Sequence, residues 1–146
     1  MIKMILLIFS FMLVLLCGCA DKKKSVNRLY DQYLENYQNL SKQKELMLKT
    51  VSFIDPLEKE NKKEAYYDSA CLMITYLRLF IIAEKEGDIQ GSEIYFQKAR
   101  YWFIVNRERE NLGKSNDLLY DNYLKFTPES RRKFIMGLDE ANLRKR

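Results

Sequence analysis

Few residues have the type and spacing that catalysis needs, and none completes a catalytic set. Ser41 and Lys44 have the Ser-x-x-Lys spacing, which places an amine one helical turn from a nucleophilic hydroxyl. No accompanying motif stands at a suitable distance, and Lys44 interrupts an otherwise apolar stripe, so we interpret the match as chance. The chain contains no histidine. This excludes histidine-based triads, the usual proton shuttle and the common zinc sites.

Acidic residues offer a second kind of site. From Glu84 to Gln90, acidic or amide side chains occupy every second position, a pattern that suits oxygen ligands of calcium. A calcium-binding loop of the EF-hand type beginning at Glu84 needs glycine at its sixth position and an acid at its twelfth, where this chain has Ile89 and Tyr95. We therefore expect helix capping and solvated charge here, and no metal site.

Two pairs of carboxylates are spaced four residues apart, which places each pair on one side of a helix. They are Glu64 with Asp68 and Asp117 with Asp121. Without histidine or another matched partner, such pairs are typical of surface charge and not of a general acid and base.

The N-terminus carries a long apolar run that no charge interrupts. It covers residues 5–17, after Lys3, and is followed by Gly18 and the charged residues 21–24. A membrane-spanning helix needs about 20 apolar residues, whereas the apolar core of a secretory signal peptide has roughly 7–15. The pattern predicts a signal peptide over residues 1–18.

The residues that end this run are Leu16, Cys17, Gly18 and Cys19. They resemble the lipobox of bacterial lipoproteins, in which Leu, a variable residue and a small residue precede an obligatory Cys. The resemblance implies that the signal peptide is removed and that Cys19, acylated with chains such as palmitate, becomes the first residue of the mature protein. An uncleaved signal anchor and ordinary signal cleavage are the alternatives.

Residues 19–25 then form the lipidated Cys and a short polar tether. In a Gram-negative cell, the family's inner-membrane retention signal is Asp directly after the Cys, and this chain has Ala20. The resemblance therefore implies the periplasmic face of the outer membrane. It also implies that the protein contacts the membrane through the lipid on Cys19.

The mature chain has the size and charge of one ordinary domain. Removing the first 18 of 146 residues leaves 128, and we expect a single domain over residues 26–146. The loss of Lys3 lowers the net charge from +5 to +4, an excess concentrated at the two ends. This mild charge gives no reason to expect a nucleic-acid partner. With Cys17 removed and Cys19 acylated, Cys71 has no disulfide partner, and its apolar neighbours predict a small buried hydrophobe.

Helical spacing of apolar residues runs through the mature chain, and no segment is typical of a strand. A heptad pattern predicts one long helix over residues 26–54, ended by Pro56. Residues 66–86 are apolar on nearly every side, which predicts the centre of the core. Gly87 and Asp88 then suit a C-cap and the next N-cap, so we expect a helix over residues 89–111 that folds back.

Two further helices are expected near the C-terminus. The first carries Leu119, Tyr123 and Phe126, and the second begins at Thr127 and Pro128. The predicted inner stripe of the last helix comprises four apolar residues: Phe134, Ile135, Leu138 and Ala141. The predicted fold is thus an all-α antiparallel bundle of about four to five helices.

Residues 73–104 carry aromatic, small and turn residues at characteristic positions: Tyr76, Leu79, Gly87, Asp88, Ser92, Phe96 and Ala99. They resemble a single tetratricopeptide unit, although Phe80, Ala83 and Ile104 depart from its pattern. A frame shift of 34 residues finds no second copy, and stable arrays need about three repeats. The resemblance implies one antiparallel hairpin and a tendency to bind protein partners.

Tyrosine is abundant, with ten in the chain. The inner helical stripes cannot take all of them, so some aromatic side chains must lie on the surface. We predict that Tyr95, Tyr101, Trp102 and Tyr120 bind a partner, because exposed aromatic residues favour protein contact. Packing rims between helices are the alternative.

These observations favour a membrane-anchored envelope lipoprotein whose helical domain binds a protein partner as an adaptor or assembly factor, with no catalysis and no cofactor. One alternative is an immunity or plasmid entry-exclusion lipoprotein, which is also small and anchored. Another is a ligand-binding protein or enzyme that uses carboxylates in a helical cavity.

Overall fold

The computed structural model describes residues 24–54, 62–110 and 125–145, and all regular structure in these ranges is helical. Five helices are present there: α1 (residues 24–35), α2 (Leu40–Phe53), α3 (Lys62–Glu86), α4 (Ile89–Glu110) and α5 (Pro128–Leu143). The all-α prediction is confirmed for this part of the chain. No helix in it is both long enough and apolar enough to cross a membrane.

Helix α3 forms the centre of the core, as its apolar sequence predicts. Leu77 packs with one buried cluster, contributed mainly by α4 and α5, and Leu79 packs with another, contributed mainly by α1 and α2. Both side chains are fully buried. Because α3 is covered on opposite sides, it can be apolar around most of its circumference.

Helix α4 runs antiparallel to α3. Near the connecting turn, the rings of Phe80 and Phe96 lie 5.3 Å apart. At the far end of the pair, the Ser69 hydroxyl donates to Asn106 Oδ1. The predicted turn between them is confirmed, since Gly87 has φ of +75°, a conformation that glycine adopts without strain.

Helix α2 also runs antiparallel to α3. Its first turns meet the end of α3, where Lys44 Nζ pairs with Glu86. Its last residues meet the earlier part of α3, where Ile54 shares a buried cluster with Leu72. Ile54 is the C-cap of α2, so the helix ends where the sequence predicts, just before Pro56.

Helices α5 and α1 cover another side of α3. On α5, Arg132 pairs with Glu84 at 2.6 Å and Asp139 pairs with Arg78 at 2.7 Å, so this helix is antiparallel to α3. Helix α1 is parallel to α3, because its first turn packs near Leu72 and its later residues pack near Leu79. The result is a central helix surrounded by four others.

The single helix predicted over residues 26–54 is wrong, because a turn at residues 36–39 divides it. Asn36 Nδ2 donates to the Gln32 carbonyl at 2.8 Å, and Asn39 Oδ1 accepts from the Lys42 backbone N–H at 3.0 Å. Asparagine side chains compete for backbone groups in this way and favour turns and N-caps. The turn reverses the chain, so α1 and α2 pack against α3 in opposite directions.

Helix α5 begins at the predicted residue, and its N-terminus is closed by two reciprocal hydrogen bonds between Thr127 and Ser130. Thr127 Oγ1 accepts from the Ser130 N–H at 3.3 Å, and Ser130 Oγ accepts from the Thr127 N–H at 3.2 Å. This reciprocal capping box satisfies two backbone donors. Pro128 at the first helical position loses no hydrogen bond, because an N–H there has no partner within the helix.

The predicted inner stripe of α5 is only partly correct. Ile135 is buried, but Phe134 is 46% exposed and Ala141 is exposed. The inner face instead contains Asp139, which is 2% exposed. Asp139 is buried there because it pairs with Arg78 of α3. A search for apolar residues alone therefore does not identify this face. In α4, the first residue Ile89 is apolar but 84% exposed.

The predicted helix that carries Leu119 and Tyr123 falls outside the described residues. Its last predicted member, Phe126, is buried and lies 4.6 Å from Phe103 between ring centroids. It extends the aromatic part of the core between α4 and α5.

Candidate functional site

A buried ion pair joins α3 to α5. Arg78 Nη2 donates to Asp139 Oδ1 at 2.7 Å, and Arg78 Nε lies 3.2 Å from the same oxygen. The two side chains are only 6% and 3% exposed. A charge pair taken this far out of water is tolerated only when its geometry is good and its other polar atoms find partners.

Two tyrosines of α1 supply those partners. The hydroxyls of Tyr30 and Tyr33 donate to Oδ1 and Oδ2 of Asp139 at 3.0 and 3.1 Å. The Arg78 guanidinium also lies over both rings, 4.1 and 5.2 Å from their centroids, where a cation is attracted by the ring face. Asn142 Nδ2 donates to the Tyr30 hydroxyl at 3.0 Å. The network therefore connects α1, α3 and α5.

Burial raises the pKa of Tyr33 well above its ordinary value of 10.0, and the Asp139 carboxylate acts in the same direction. Burial also raises the pKa of Tyr30, partly opposed by Arg78. Both phenols consequently keep their protons at neutral pH. They remain donors to the carboxylate and do not act as general bases.

A cavity of about 180 Å³ lies beside this network. It is lined by residues of α1, α2, α3 and α5 and is partly open to solvent. Its apolar lining comes from Val26, Met47, Cys71, Ile74 and Leu138. Its polar lining comes from Asn27, Tyr30, Thr50, Thr75, Arg78 and Asn142. An apolar space with a few convergent polar groups is the usual form of a small-molecule site.

The hydroxyl groups of the two threonines that line the cavity already donate hydrogen bonds within their own helices. Thr50 Oγ1 donates to the Leu46 carbonyl at 2.9 Å, and Thr75 Oγ1 donates to the Cys71 carbonyl at 2.7 Å. Arg78 differs, because Asp139 occupies its Nε and Nη2 atoms while its Nη1 atom makes no hydrogen bond within the described ranges. The cavity therefore retains a charged donor.

The acidic groups considered for calcium are engaged elsewhere. Glu84 holds Arg132, Glu86 holds Lys44, and Asp88 Oδ1 accepts the Gly91 N–H at 2.8 Å. Within the described ranges, no group of histidine, cysteine and acidic residues has the arrangement of a metal site. The pairing of Lys44 with Glu86 also gives this lysine a structural role, separate from Ser41.

The remaining candidates for chemistry have different surroundings. Asp68 is 6% exposed, so it is buried and not the surface charge predicted from its spacing. The side chain of its predicted partner Glu64, and the pair Asp117 and Asp121, lie outside the described set. Cys71 is half-buried and contributes to the cavity wall, whereas the sequence predicts a buried hydrophobe.

The aromatic residues predicted to bind a partner do not share one surface. Tyr101 is 52% exposed, Tyr95 is half-buried against Tyr76, and Trp102 is only 9% exposed. Tyr120 lies outside the described residues. Trp102 is buried because it packs edge-on against Tyr101, at 5.0 Å between centroids, and joins an apolar cluster.

Sequence reasoning missed the neighbour of Tyr101 on the same face. Ile94 is 46% exposed and stands seven residues earlier in α4. Residues seven apart in a helix lie on one side, about two turns apart. The spacing of Ile94 and Tyr101 is visible in the sequence, but spacing alone does not show whether a helix face is buried or exposed.

Comparison of the chain with protein-family models, with curated proteins and with solved structures finds no match. The chemistry of the described residues thus provides the basis for assigning a role. Two features of these residues suggest a role: the exposed face of α4 and the cavity beside Arg78.

Proposed function

We propose that this chain is a membrane-anchored envelope lipoprotein whose helical domain binds a protein partner, as an adaptor or assembly factor and without catalysis. The anchor rests on the lipobox-like residues that end at Cys19. In a Gram-negative cell the protein would lie on the periplasmic face of the outer membrane. Helix α1 begins at residue 24, only five positions after Cys19, so the partner is one that comes close to the bilayer.

The observation that carries partner binding is the exposed face of α4. Tyr101 and Ile94 are 52% and 46% exposed on this face, and exposed Gln90 and Gln97 accompany them. Exposed aromatic and apolar side chains are typical of the centre of a protein interface, and the charged side chains of Glu93 and Lys98, which are also exposed on α4, would lie at its polar rim. The antiparallel α3–α4 pair also supports the likeness of residues 73–104 to a tetratricopeptide hairpin, a kind of unit that binds proteins.

The anchor is tested by metabolic labelling with a radioactive or clickable palmitate. We expect label on the unaltered chain and on Cys71→Ser, and none on Cys19→Ser, because Cys19 is the residue that the lipobox pattern acylates. Mass spectrometry of the mature N-terminus checks that residues 1–18 have been removed. Label retained by Cys19→Ser would overturn the anchor.

Partner binding is tested by affinity capture of the detergent-solubilised full chain from envelope extracts, with recovery quantified by mass spectrometry. We expect the double variant Ile94→Ser/Tyr101→Ser to recover at least about tenfold less of a specific partner, since interface anchors each contribute about 2 kcal/mol or more. Phe134→Ser is the matched control, because Phe134 is as exposed as Ile94, at 46%, but lies on α5.

Equal recovery by the unaltered chain and the α4 variant would reject this face as the binding surface. Loss of recovery by Phe134→Ser alone would assign binding to α5 instead. Circular dichroism of each variant shows whether the helical domain is intact, so that lost binding is not confused with unfolding.

A further inference from the structure

We propose that the cavity beside Arg78 binds a small, neutral, mostly apolar molecule whose single hydrogen-bond acceptor, such as a carbonyl oxygen, meets the Arg78 guanidinium. This site is distinct from the exposed face of α4. It does not depend on the lipid anchor or on a protein partner.

The size of the cavity sets the size of the ligand. Its volume is about 180 Å³, and an apolar protein cavity of about 150 Å³ is known to take up benzene. The space beside Arg78 therefore suits a ring or a branched hydrocarbon of about seven non-hydrogen atoms. Met47, Ile74 and Leu138 provide the apolar contacts for such a body.

The polar group of the ligand is determined by Arg78 Nη1, the guanidinium nitrogen that makes no hydrogen bond to Asp139. This side chain is 5% exposed and contributes to the cavity lining, while its hydrogen bonds to Asp139 leave Nη1 without a partner in the described part of the chain. An acceptor bonded to this charged donor is held in a largely apolar cavity, where a hydrogen bond is stronger than it is in bulk water. An oxygen on the ligand would supply this acceptor.

The charge of the ligand is limited by Asp139. Arg78 and Asp139 already form a neutral pair, with an N–O distance of 2.7 Å. A ligand carboxylate at Nη1 would add a second negative charge close to Asp139 in a site of low dielectric, where like charges repel strongly. A carbonyl or ether oxygen accepts the same hydrogen bond without this repulsion.

Entry to the cavity is available at the first turn of α1. Asn27 contributes to the cavity lining and is exposed to solvent. The cavity is therefore open to solvent at this turn.

Three probes of similar size separate these requirements: cyclohexanone, methylenecyclohexane and cyclopentanecarboxylate. The first two have the same ring and differ only in whether an oxygen or a CH₂ group is double-bonded to it, and the third carries a negative charge. The full chain in lipid nanodiscs is labelled with ¹³C at its Met and Ile methyl groups. The shifts of Met47 and Ile74 then report binding in the cavity itself, and gas chromatography gives the aqueous concentration of the two volatile probes.

We expect saturable shifts with cyclohexanone at a Kd at least about tenfold below those of methylenecyclohexane and cyclopentanecarboxylate, since a hydrogen bond to a charged group is worth about this factor. In the double variant Arg78→Met/Asp139→Leu, the ketone should lose its advantage over the alkene. The comparison of probes on the unaltered chain is decisive even where that variant does not fold.

Three results would overturn the proposal. Absence of saturable shifts with every probe would make the cavity a packing defect. Equal affinities for the ketone and the alkene would show that Arg78 does not bind the ligand through a hydrogen bond. Tightest binding by the carboxylate would show that the site takes an anion.

Discussion

Replacing Asp139 by Asn is expected to lower the free energy of unfolding by about 3–5 kcal/mol, because it leaves the buried Arg78 charge without a counter-charge. Asn has nearly the same shape as Asp, so the change removes charge with little change in packing. Domains of this size are stable by only about 5–15 kcal/mol. The variant should therefore be close to unfolding at ordinary temperature.

The matched control replaces both partners, as Arg78→Met/Asp139→Leu. Apolar substitution of a complete buried pair is often neutral or stabilising, since neither charge then has to be desolvated. Here the recovery should be incomplete, because the hydroxyls of Tyr30 and Tyr33 lose the acceptor that they bond at 3.0 and 3.1 Å. We expect the double variant to recover at least half of the loss.

Urea unfolding followed by circular dichroism measures both variants, together with the single variants Arg78→Met and Asp139→Leu, which complete a double-mutant cycle. If Asp139→Asn loses less than about 1 kcal/mol, the charge pair is more hydrated than its burial indicates. A loss in the double variant as large as that in Asp139→Asn would contradict the prediction, because removing the unpaired Arg78 charge would then have restored no stability.

The ion pair could not be predicted from the sequence, because its partners are 61 residues apart and no local pattern joins them. Arg78 was visible as a charge inside an apolar run, between Leu77 and Leu79, but nothing in the sequence specifies which acid it meets. Asp139 was visible only as a polar residue beside an apolar stripe. Tyr30 and Tyr33, which donate to Asp139, belong to the heptad pattern of residues 26–54, and this pattern does not specify which polar group their hydroxyls meet.

Features that depend on neighbouring residues were easier to predict. Gly87 and Asp88 ended one helix and began the next as expected, and Thr127 with Pro128 began α5. By contrast, the heptad pattern continued through the turn at residues 36–39 and concealed it. Two helices that pack against the same central helix can share one apolar spacing, so periodicity alone does not show that the chain reverses between them.

The cavity could not be predicted from the sequence for a different reason. Its volume of about 180 Å³ is the space left over after side chains from four helices have packed. The sequence hypothesis of a cavity with carboxylates finds no support in it, since the lining has no acidic side chain and Asp139 lies behind Arg78. The charge that is present there has the opposite sign.

Truncating Leu79 to Ala is expected to lower the free energy of unfolding by about 2–5 kcal/mol, through lost apolar contacts and the cavity left behind. We expect the upper half of this range. Leu79 is fully buried between α3 and the α1–α2 pair, while the other side of α3 is held by the cluster that contains Leu77. With α3 fixed from both sides, the surroundings cannot relax to fill the space.

Leu48→Ala is the matched control for this prediction, since it removes the same atoms from a leucine that is 44% exposed on α2. Surface substitutions usually change stability by about 0.5 kcal/mol or less, so urea unfolding should separate the two variants clearly. Similar losses in both would contradict the placement of α3 at the centre of the core. A large loss at Leu79 alone would support it, because the penalty for a truncated leucine depends on how completely its neighbours enclose it.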